Sequence, residues 1–247
     1  MKMTIDLNAD LGESAGHDDE LLALVSSASI ACGFHAGDAE TMRVAIAAAR
    51  DRGVAVGAHP SLFDRENFGR KELPVSGDDV FQAVKYQLGV FRAIAEAAEV
   101  RPNHVKAHGA LYNMAARDAA IASAIVKAVA DEDRDLLLFA LPDSELARAG
   151  DAAGLRVLRE VFADRNYMPD GSLVSRTRPD ALLHDPAEAA ARVVRMLREG
   201  VVRALDGSDV RVQPDTICLH GDTPEAVEFA RILRGELGNA GIQVAAP

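Results

Sequence analysis

Tryptophan is absent from this chain, and aromatic residues of any kind are scarce. Only 4% of the 247 residues are aromatic, whereas 49% are hydrophobic. A core of this size must therefore be built from aliphatic side chains and alanine, and the length suits one α/β barrel or two small domains. We expect a single domain over residues 1–247, because no linker rich in proline, glycine or serine interrupts the chain.

Cysteine is nearly absent as well. Cys32 and Cys218 lie far apart in the chain and belong to no C-x-x-C pair. This spacing argues against a disulfide framework and against a zinc knuckle. We expect two buried thiols.

Basic residues are outnumbered by acidic ones, 27 to 38, which gives a formal net charge of −11. Nucleic acids and anionic membranes attract clustered Lys and Arg, and the chain has no basic stripe. No apolar run approaches the roughly 18 residues of a membrane span, and residues 1–10 lack the pattern of a signal peptide. We expect a cytoplasmic protein with neither nucleic acid nor membrane as a partner.

Three catalytic motifs are also missing. The sequence contains no G-x-x-x-x-G-K-[ST] loop, no G-x-G-x-x-G after its first apolar run and no G-x-S-x-G elbow. A stand-alone P-loop ATPase, a dinucleotide enzyme and a serine hydrolase are therefore disfavoured. Any ATP chemistry then needs a partner protein.

Seven short apolar runs alternate with seven amphipathic or alanine-rich stretches, which predicts an α/β fold with a parallel sheet. The predicted strands are Met3–Asn8, Ser29–Cys32, Val54–Ala58, His104–Ala107, Leu136–Ala140, Val157–Phe162 and Thr216–Leu219. The predicted helices are Asp18–Ser27, Ala39–Arg52, Gly77–Ala98, Asp118–Asp131, Asp143–Ala153, Pro186–Leu205 and Pro224–Leu237.

Histidines stand just past four of the apolar runs, at His35, His59, His108 and His220. The carboxyl ends of parallel strands are where α/β proteins place their chemistry. Side chains after four different strands can converge on one pocket if the sheet closes, so we predict an enzyme with a single β/α barrel of seven parallel strands.

The first strand carries unusual polar residues. Asp6, Asn8 and Asp10 alternate with apolar residues and therefore face the barrel lumen. Buried carboxylates need a cation, a metal, shared protons or dense hydrogen bonding, and Lys106 on the fourth strand is a candidate counter-ion. An Asp6–Lys106 ion pair that only fills the barrel is the alternative to a catalytic Asp6. For Asp10, at the strand's end, we predict a functional role.

Two kinds of chemistry suit the polar strand ends. Asp10, His59 and His108 could form a two-histidine, one-carboxylate metal site with positions open to water. Without a metal, the same groups could act as general acid and base. The sequence leaves both open, and the catalytic candidates are Asp6, Asp10, His59, Lys106 and His108.

Anion-binding residues follow in the loops. Arg70, Arg165 and Arg176 have planar guanidinium groups that match a carboxylate or a phosphate, although each could equally be a surface arginine. Asp222 could bind ligand near the last predicted helix or simply cap that helix. The candidates for substrate binding are Asn8, Glu13, His35, Arg70, Glu160, Arg165, Arg176, His220 and Asp222.

Eight segments carry a resemblance that runs in order along nearly the whole chain. They are DLNADLGE (6–13), ACGFHAGD (31–38), GAHPSL (57–62), FGR (68–70), KAHGALYN (106–113), EVFADRNY (160–167), LVSR (173–176) and LHGD (219–222). Together they resemble the LamB/YcsF family, the A subunits of prokaryotic 5-oxoprolinase.

The resemblance implies ATP-dependent opening of the lactam 5-oxo-L-proline to L-glutamate, with Mg²⁺ accompanying the ATP and with two partner subunits, B and C. It also implies a barrel of the glycoside hydrolase/deacetylase type. In this hypothesis Asp10 and His108 handle protons or water, His59 supports them, and an arginine holds the substrate carboxylate.

Two alternatives remain at this point. The segments NADLG and GAHPSL resemble, more weakly, the YdjC-type carbohydrate deacetylases, in which a divalent metal assists deacetylation of acylated sugars. The chain could also be a non-catalytic subunit that only binds the lactam.

Overall fold

The computed structural model describes residues 3–220 and 226–247, and within these ranges the chain forms ten strands and eight helices. The strands are β1 (Thr4–Leu11), β2 (Ser27–Ala31), β3 (Ala55–His59), β4 (His104–Val105), β5 (Leu137–Ala140), β6 (Val157–Phe162), β7 (Val201–Arg203), β8 (Asp209–Arg211), β9 (Thr216–His220) and β10 (Gln243–Val244). The helices are α1 (Asp18–Leu22), α2 (Ala39–Asp51), α3 (Gly77–Ala97), α4 (Gly109–Arg117), α5 (Ala119–Glu132), α6 (Glu145–Ala152), α7 (Pro186–Glu199) and α8 (Ala226–Asn239).

Seven parallel strands close into a barrel. The order around it is β1, β2, β3, β4, β5, β6 and β9, and β9 pairs again with β1. In that register Asp10 stands opposite Ser29 of β2 on one side and opposite His220 of β9 on the other. The predicted β/α barrel is therefore confirmed, and each predicted strand corresponds to one barrel strand.

Apolar residues form two separate clusters. The larger one lies between the strands and the surrounding helices. The smaller one consists of Leu137, Phe139 and Leu158, which alternate with the outward-facing residues of β5 and β6 and therefore lie in the lumen. His104 extends this smaller cluster, because its ring stacks on the Phe139 ring with 4.2 Å between the ring centroids. The polar residues of the lumen occupy the rest of the barrel interior.

Two predicted helices end too late, and one helix was not predicted. The predicted helix Pro186–Leu205 is wrong beyond Glu199, because Gly200 adopts the left-handed conformation (φ 67°) and ends α7 before β7 begins. The predicted helix Asp18–Ser27 is wrong beyond Leu22, since Ser27 already belongs to β2. Helix α4, which follows β4 directly, is absent from the predicted helices. None of the described helices has both the length and the apolar character that crossing a membrane requires.

Candidate active site

A cavity of about 500 Å³ opens at the carboxyl ends of the barrel strands. Its wall joins strand ends to residues of the loops after β3 and β6. The predicted site residues that line it are Asp10, His59, Arg70, Lys106, His108, Arg165, Arg176 and His220. The predicted residues Asp6, Asn8, Glu13, His35 and Glu160 are buried behind or below this wall, and Asp222 lies outside the described residues.

The floor of the cavity is organised around Lys106, which is only 2% exposed. Its ammonium donates to Asp10 Oδ1 at 2.7 Å and to Asn8 Oδ1 at 3.2 Å, and lies 3.0 Å from Glu160 Oε1. Burial opposes the charged form, but Asp10 and Glu160 outweigh it and hold the pKa of Lys106 well above its ordinary value. Lys106 is therefore a fixed positive charge and cannot serve as a base at neutral pH.

Asp10 is held in its ionised form. Burial disfavours the carboxylate, but His59 and Lys106 outweigh burial and keep the pKa of Asp10 well below its usual range. Its second oxygen, Oδ2, lies 3.4 Å from His59 Nε2. Asp10 thus presents a buried anion to the cavity while both of its oxygens face cationic or polar groups of the protein.

Asn8 and Glu160 support this floor from behind. The Asn8 amide donates to Glu160 Oε1 at 3.0 Å and to Thr216 Oγ1 at 2.8 Å. Burial raises the pKa of Glu160 even though Lys106 lies beside it. In the structure both residues contact Lys106 and each other, and their predicted role in substrate binding stays a prediction.

Asp6 lies outside the cavity. Its carboxylate accepts hydrogen bonds from Ser26, Ser27 and Thr216, at 2.6 to 2.7 Å, and burial raises its pKa. The Asp6–Lys106 ion pair, considered as the alternative to a catalytic Asp6, does not form, since Lys106 contacts Asp10 and Glu160. The catalytic role of Asp6 stays a prediction. Three hydroxyl donors satisfy the Asp6 carboxylate because the lumen at this level is lined by Ser and Thr from neighbouring strands.

His59 and His108 form a closed hydrogen-bonded pair. His59 Nδ1 donates to the backbone oxygen of Lys106 at 2.7 Å, and His108 Nε2 donates to the backbone oxygen of Phe68 at 2.9 Å. These two bonds leave His59 Nε2 and His108 Nδ1 facing each other at 2.9 Å. Two lone pairs at that distance repel each other, so a shared proton or a cation must lie at this point.

Glu13 and His35 complete this histidine cluster. Glu13 Oε1 lies 3.1 Å from His35 Nε2 and 3.3 Å from His108 Nδ1. The His35 ring stacks on the His108 ring at 3.8 Å, and burial together with the neighbouring His59 lowers the pKa of His35 to about 2. His35 is therefore a neutral, packed ring rather than a group that reaches the cavity.

The donor set at this cluster fits a divalent ion in part. Glu13, His35, His59 and His108 bring four ligand atoms within 4.8 Å of one another. One ion cannot lie in the planes of both the His35 and His108 rings, because these planes are parallel within 4° and stacked. The perpendicular rings of His59 and His108, with Glu13, are the donors that fit without rearrangement. The metal set Asp10, His59 and His108 stays a prediction.

A second histidine centre lies on β9 next to Asp10, where ligand atoms of Asp10, Cys218 and His220 come within 4.8 Å of one another. His220 Nδ1 bonds to Asp164 Oδ2 at 2.7 Å, and the His220 ring stacks on Phe162. Burial opposes ionisation of Asp164, but His220 and two nearby arginines outweigh it and lower its pKa to about 2. Burial lowers the pKa of His220, so the ring is neutral. None of the described residues hydrogen-bonds His220 Nε2, and His220 lines the cavity.

Sequence reasoning missed two residues of this site. In the sequence Asp164 is only one of several polar residues after the sixth strand, and its partnership with His220 spans 56 residues. Tyr112 lines the cavity from α4, the unpredicted helix, and burial together with Glu160 raises the pKa of its hydroxyl well above the ordinary value. An α4 that begins immediately after His108 in the segment GALYN is the feature that could have drawn attention to Tyr112.

The structure is a closed β/α barrel with ionised side chains and an oriented histidine at the carboxyl ends of its strands, the place where this class of barrel has its functional sites. The chain belongs to the LamB/YcsF family, whose model matches residues 5–247.

Individual relatives agree with this membership. A protein named as the A subunit of 5-oxoprolinase, from Methylococcus capsulatus, is 53% identical and covers 100% of this chain and 96% of its own length. The crystal structure of the lactam utilization protein from Thermus thermophilus superposes with a TM-score of 0.93 at 45% identity, covering 99% of this chain and 100% of that one.

The barrel type is confirmed by a more distant structure. The family 4 carbohydrate esterase from Streptomyces lividans in complex with acetate matches with a TM-score of 0.53 at 11% identity, over 99% of this chain and 92% of that one. At this identity the likeness concerns the fold alone, and it supports the predicted deacetylase-like class of barrel.

Proposed function

We propose that this chain is the A subunit of an ATP-dependent 5-oxoprolinase, which opens 5-oxo-L-proline to L-glutamate together with partner subunits B and C. The observation that supports this most directly is the full-length match, at 53% identity, to a protein of that name. The cavity adds independent support, because it combines arginines suited to an anionic substrate with an oriented neutral histidine. We further propose that residues 1–247 form one domain and that the protein works in the cytoplasm.

The reaction consumes 5-oxo-L-proline, ATP and two molecules of water and yields L-glutamate, ADP and phosphate. A five-membered lactam is a stable amide, so we propose that phosphoryl transfer from Mg-ATP to the lactam oxygen activates it. Water then adds to the ring carbon, and the bond from that carbon to nitrogen breaks as the nitrogen takes up a proton. A second water hydrolyses the resulting γ-glutamyl phosphate to L-glutamate and phosphate. The chain lacks the P-loop that would bind ATP in a stand-alone ATPase, which is why the ATP chemistry calls for partner subunits.

His220 is the residue we propose for proton transfer. Its Nδ1 is committed to Asp164, and its Nε2 is available in the cavity, where it can take a proton from the attacking water and return one to the leaving nitrogen. His108 also lines the cavity, but both of its ring nitrogens are engaged by His59 and Phe68. The geometry therefore favours His220 over the predicted His108 in this role.

We propose that the charges of Lys106 and Asp10 stabilise and orient the reacting groups. A fixed ammonium at the cavity floor can stabilise negative charge that develops on the carbonyl oxygen of the substrate. Asp10, kept ionised beside it, can orient the attacking water. A divalent metal held by His59, His108 and Glu13 would add Lewis-acid chemistry when bound, and His59 also contacts Asp10.

The test is glutamate release from 5-oxo-L-proline and Mg-ATP, with this protein alone, with subunits B and C alone, and with all three. Glutamate that forms only in the complete mixture supports the proposal. No glutamate from a mixture whose subunits are folded and bound to one another would overturn it. ATP-independent deacetylation of an acylated sugar, with one divalent ion per chain, would point to a deacetylase instead.

One variant separates a catalytic role from a role in lactam binding alone. Asp10→Asn keeps the shape of the side chain and removes its charge. A catalytic role predicts lost turnover with lactam affinity retained, whereas a binding role predicts that affinity and turnover fall in proportion.

A further inference from the structure

Three buried side chains at the ends of barrel strands present ligand atoms to one point. Glu13 follows β1, His59 ends β3 and His108 follows β4, and each is at most 7% exposed. His59 Nε2 and His108 Nδ1 are 2.9 Å apart. Glu13 Oε1 lies 3.3 Å from the nitrogen of His108 and 3.9 Å from that of His59.

The spacing of these three atoms selects the size of an ion that fits between them. The circle through three points that are 2.9, 3.3 and 3.9 Å apart has a radius of about 2.0 Å. Zn²⁺ binds imidazole nitrogen at about 2.0–2.1 Å and carboxylate oxygen at about 2.0–2.2 Å, whereas Ca²⁺ needs about 2.3–2.6 Å. An ion of the size of Zn²⁺ therefore fits the triangle with little movement of its ligand atoms.

The outer nitrogens of both rings are bonded as they are in metal-binding histidines. His59 Nδ1 donates to the backbone oxygen of Lys106 at 2.7 Å, and His108 Nε2 donates to the backbone oxygen of Phe68 at 2.9 Å. A histidine that binds a metal usually donates its other N–H to a carbonyl or a carboxylate, which fixes the tautomer and the direction of the ring. Both bonds therefore place lone pairs, the groups that bind a metal, on the two nitrogens that face each other.

His35 supports the third ligand. Its Nε2 donates to Glu13 Oε1 at 3.1 Å, and its ring is stacked on the His108 ring. A carboxylate oxygen has two lone pairs, so Glu13 Oε1 can accept this bond and bind an ion at the same time. His35 is thus a positioning residue for Glu13 and not a fourth ligand.

A shared proton is the other way to join the two histidine nitrogens. A proton joins one donor to one acceptor along the line between them. Three ligand atoms around one centre, each with a supporting hydrogen bond, are the arrangement expected for a metal ion.

We propose that Glu13, His59 and His108 hold a resident Zn²⁺ ion, separate from the Mg²⁺ that accompanies ATP. Imidazole nitrogen suits Zn²⁺, whereas Mg²⁺ demands octahedral oxygen ligands and keeps much of its water. Three protein ligands leave one position of a four-coordinate ion to a non-protein ligand. The set differs from the predicted one in having Glu13 in place of Asp10. The ion belongs to the isolated chain, so its presence does not depend on the proposed reaction.

The experiment strips the isolated protein of metal with a chelator and titrates Zn²⁺ back by calorimetry. We expect one ion per chain with a Kd below about 1 μM, and we expect Mg²⁺ to bind at least about 100-fold more weakly. No uptake of Zn²⁺, or an equal affinity for Mg²⁺, would overturn the proposal.

Glu13→Gln keeps the size of the side chain and removes the carboxylate ligand. It should weaken Zn²⁺ binding by about 100-fold or more, because the loss of an outer partner of a metal ligand alone costs about 10- to 100-fold. The matched control is Glu96→Gln on α3, where the exposed carboxylate pairs with Arg92, and it should change the affinity less than about twofold. Equal affinities in Glu13→Gln and in wild type would overturn the proposal.

Asp10→Asn separates the two ligand sets. Asp10 Oδ2 lies 3.4 Å from His59 Nε2, but Oδ1 accepts from Lys106, so this variant should weaken Zn²⁺ binding less than Glu13→Gln does. The reverse order would assign the ion to Asp10, His59 and His108 and would overturn the proposal. If Glu13→Gln does not fold, X-ray absorption of the Zn²⁺-loaded wild type should show two imidazole ligands at about 2.0–2.1 Å, and fewer than two would overturn it.

Failure at the metal site can be told apart from failure of the proposed function. If the complete mixture releases glutamate but the stripped protein takes up no Zn²⁺, only the metal site is refuted. If Zn²⁺ binds through Glu13 but the complete mixture releases no glutamate, the metal site stands and the proposed reaction falls.

Discussion

Replacing Lys106 by methionine tests whether the cavity floor depends on one buried charge. The ammonium contacts Asp10 Oδ1 at 2.7 Å and Glu160 Oε1 at 3.0 Å, and all three side chains are at most 5% exposed. Methionine keeps the length of the side chain and removes the charge. The two carboxylates then share a buried space without this cation, and removing one partner of a buried ion pair costs about 3–5 kcal/mol of unfolding free energy.

The unfolding free energy lost in Lys106→Met should become smaller as the pH falls. Without Lys106, the folded-state pKa of Glu160, already raised by burial, rises further above its value in the unfolded chain. The folded variant then binds a proton that the unfolded chain does not, so its stability improves as pH falls through that raised pKa. A cost of about 3–5 kcal/mol corresponds to roughly two to four pKa units in total. The difference in unfolding free energy between wild type and Lys106→Met should therefore shrink as the pH is lowered from 7 to 5.

Urea unfolding followed by circular dichroism at pH 7 and pH 5 measures both effects. Exposed Lys127, whose ammonium lies over the Phe81 ring, supplies the matched control, and Lys127→Met should cost less than about 1 kcal/mol. Adding Glu160→Gln to Lys106→Met should recover part of the loss, because one unpaired carboxylate is removed. A loss below about 1 kcal/mol at pH 7, or one that grows toward pH 5, would refute the reasoning.

Three further predictions concern other parts of the molecule. Asp164→Asn should lower kcat of the complete mixture about 10²- to 10⁴-fold and change KM less, because His220 loses the carboxylate that orients it. A kcat within a few-fold of wild type would contradict this prediction. Burial lowers the pKa of His104 from 6.5 to about 3, so stability is lost as pH falls from 6.5 toward 3. The urea-measured loss from pH 6.5 to 4.5 should be about 2 kcal/mol smaller in His104→Gln than in wild type, and equal losses would contradict it. Gly109→Ala should lower the free energy of unfolding by about 2 kcal/mol or more, because Gly109 has a φ of 52° and a Cβ would meet a backbone oxygen at 2.5 Å. The control Gly53→Ala, with open space around it, should lower it by only about 1–2 kcal/mol. Urea unfolding measures both losses, and equal losses would contradict the prediction.

Much of the barrel was predictable because its strands are buried on both faces and therefore appear as continuous apolar runs. The run Val157–Phe162 was predicted with the same bounds that the structure has. Strand β1 was predicted to end at Asn8, but it continues to Leu11, because Lys106 compensates the charge of Asp10 and lets a carboxylate lie inside the barrel. Such compensation depends on contacts between residues about a hundred positions apart, and no local pattern shows it.

The short elements outside the barrel were missed for a different reason. Strands β7 and β8 have three residues each, and β10 has two, so none is long enough to show a period. Helix α4 begins at Gly109, where a positive φ turns the chain straight from the fourth strand into the helix. The sequence GALYN lacks a side-chain cap before it, and the usual indication of a helix start is therefore absent.

The four histidines, equivalent in the sequence, have different roles in the structure because of the partners of their ring nitrogens. In His59 and His108, backbone oxygens take the outer N–H groups, and the inner nitrogens face each other. His35 is stacked and shielded. His220 alone among the four couples one nitrogen to a carboxylate and has the other available in the cavity. Since proton transfer to substrate needs a nitrogen that no protein group occupies, this difference is the reason for proposing proton transfer at His220 and a supporting role for His59 beside Asp10.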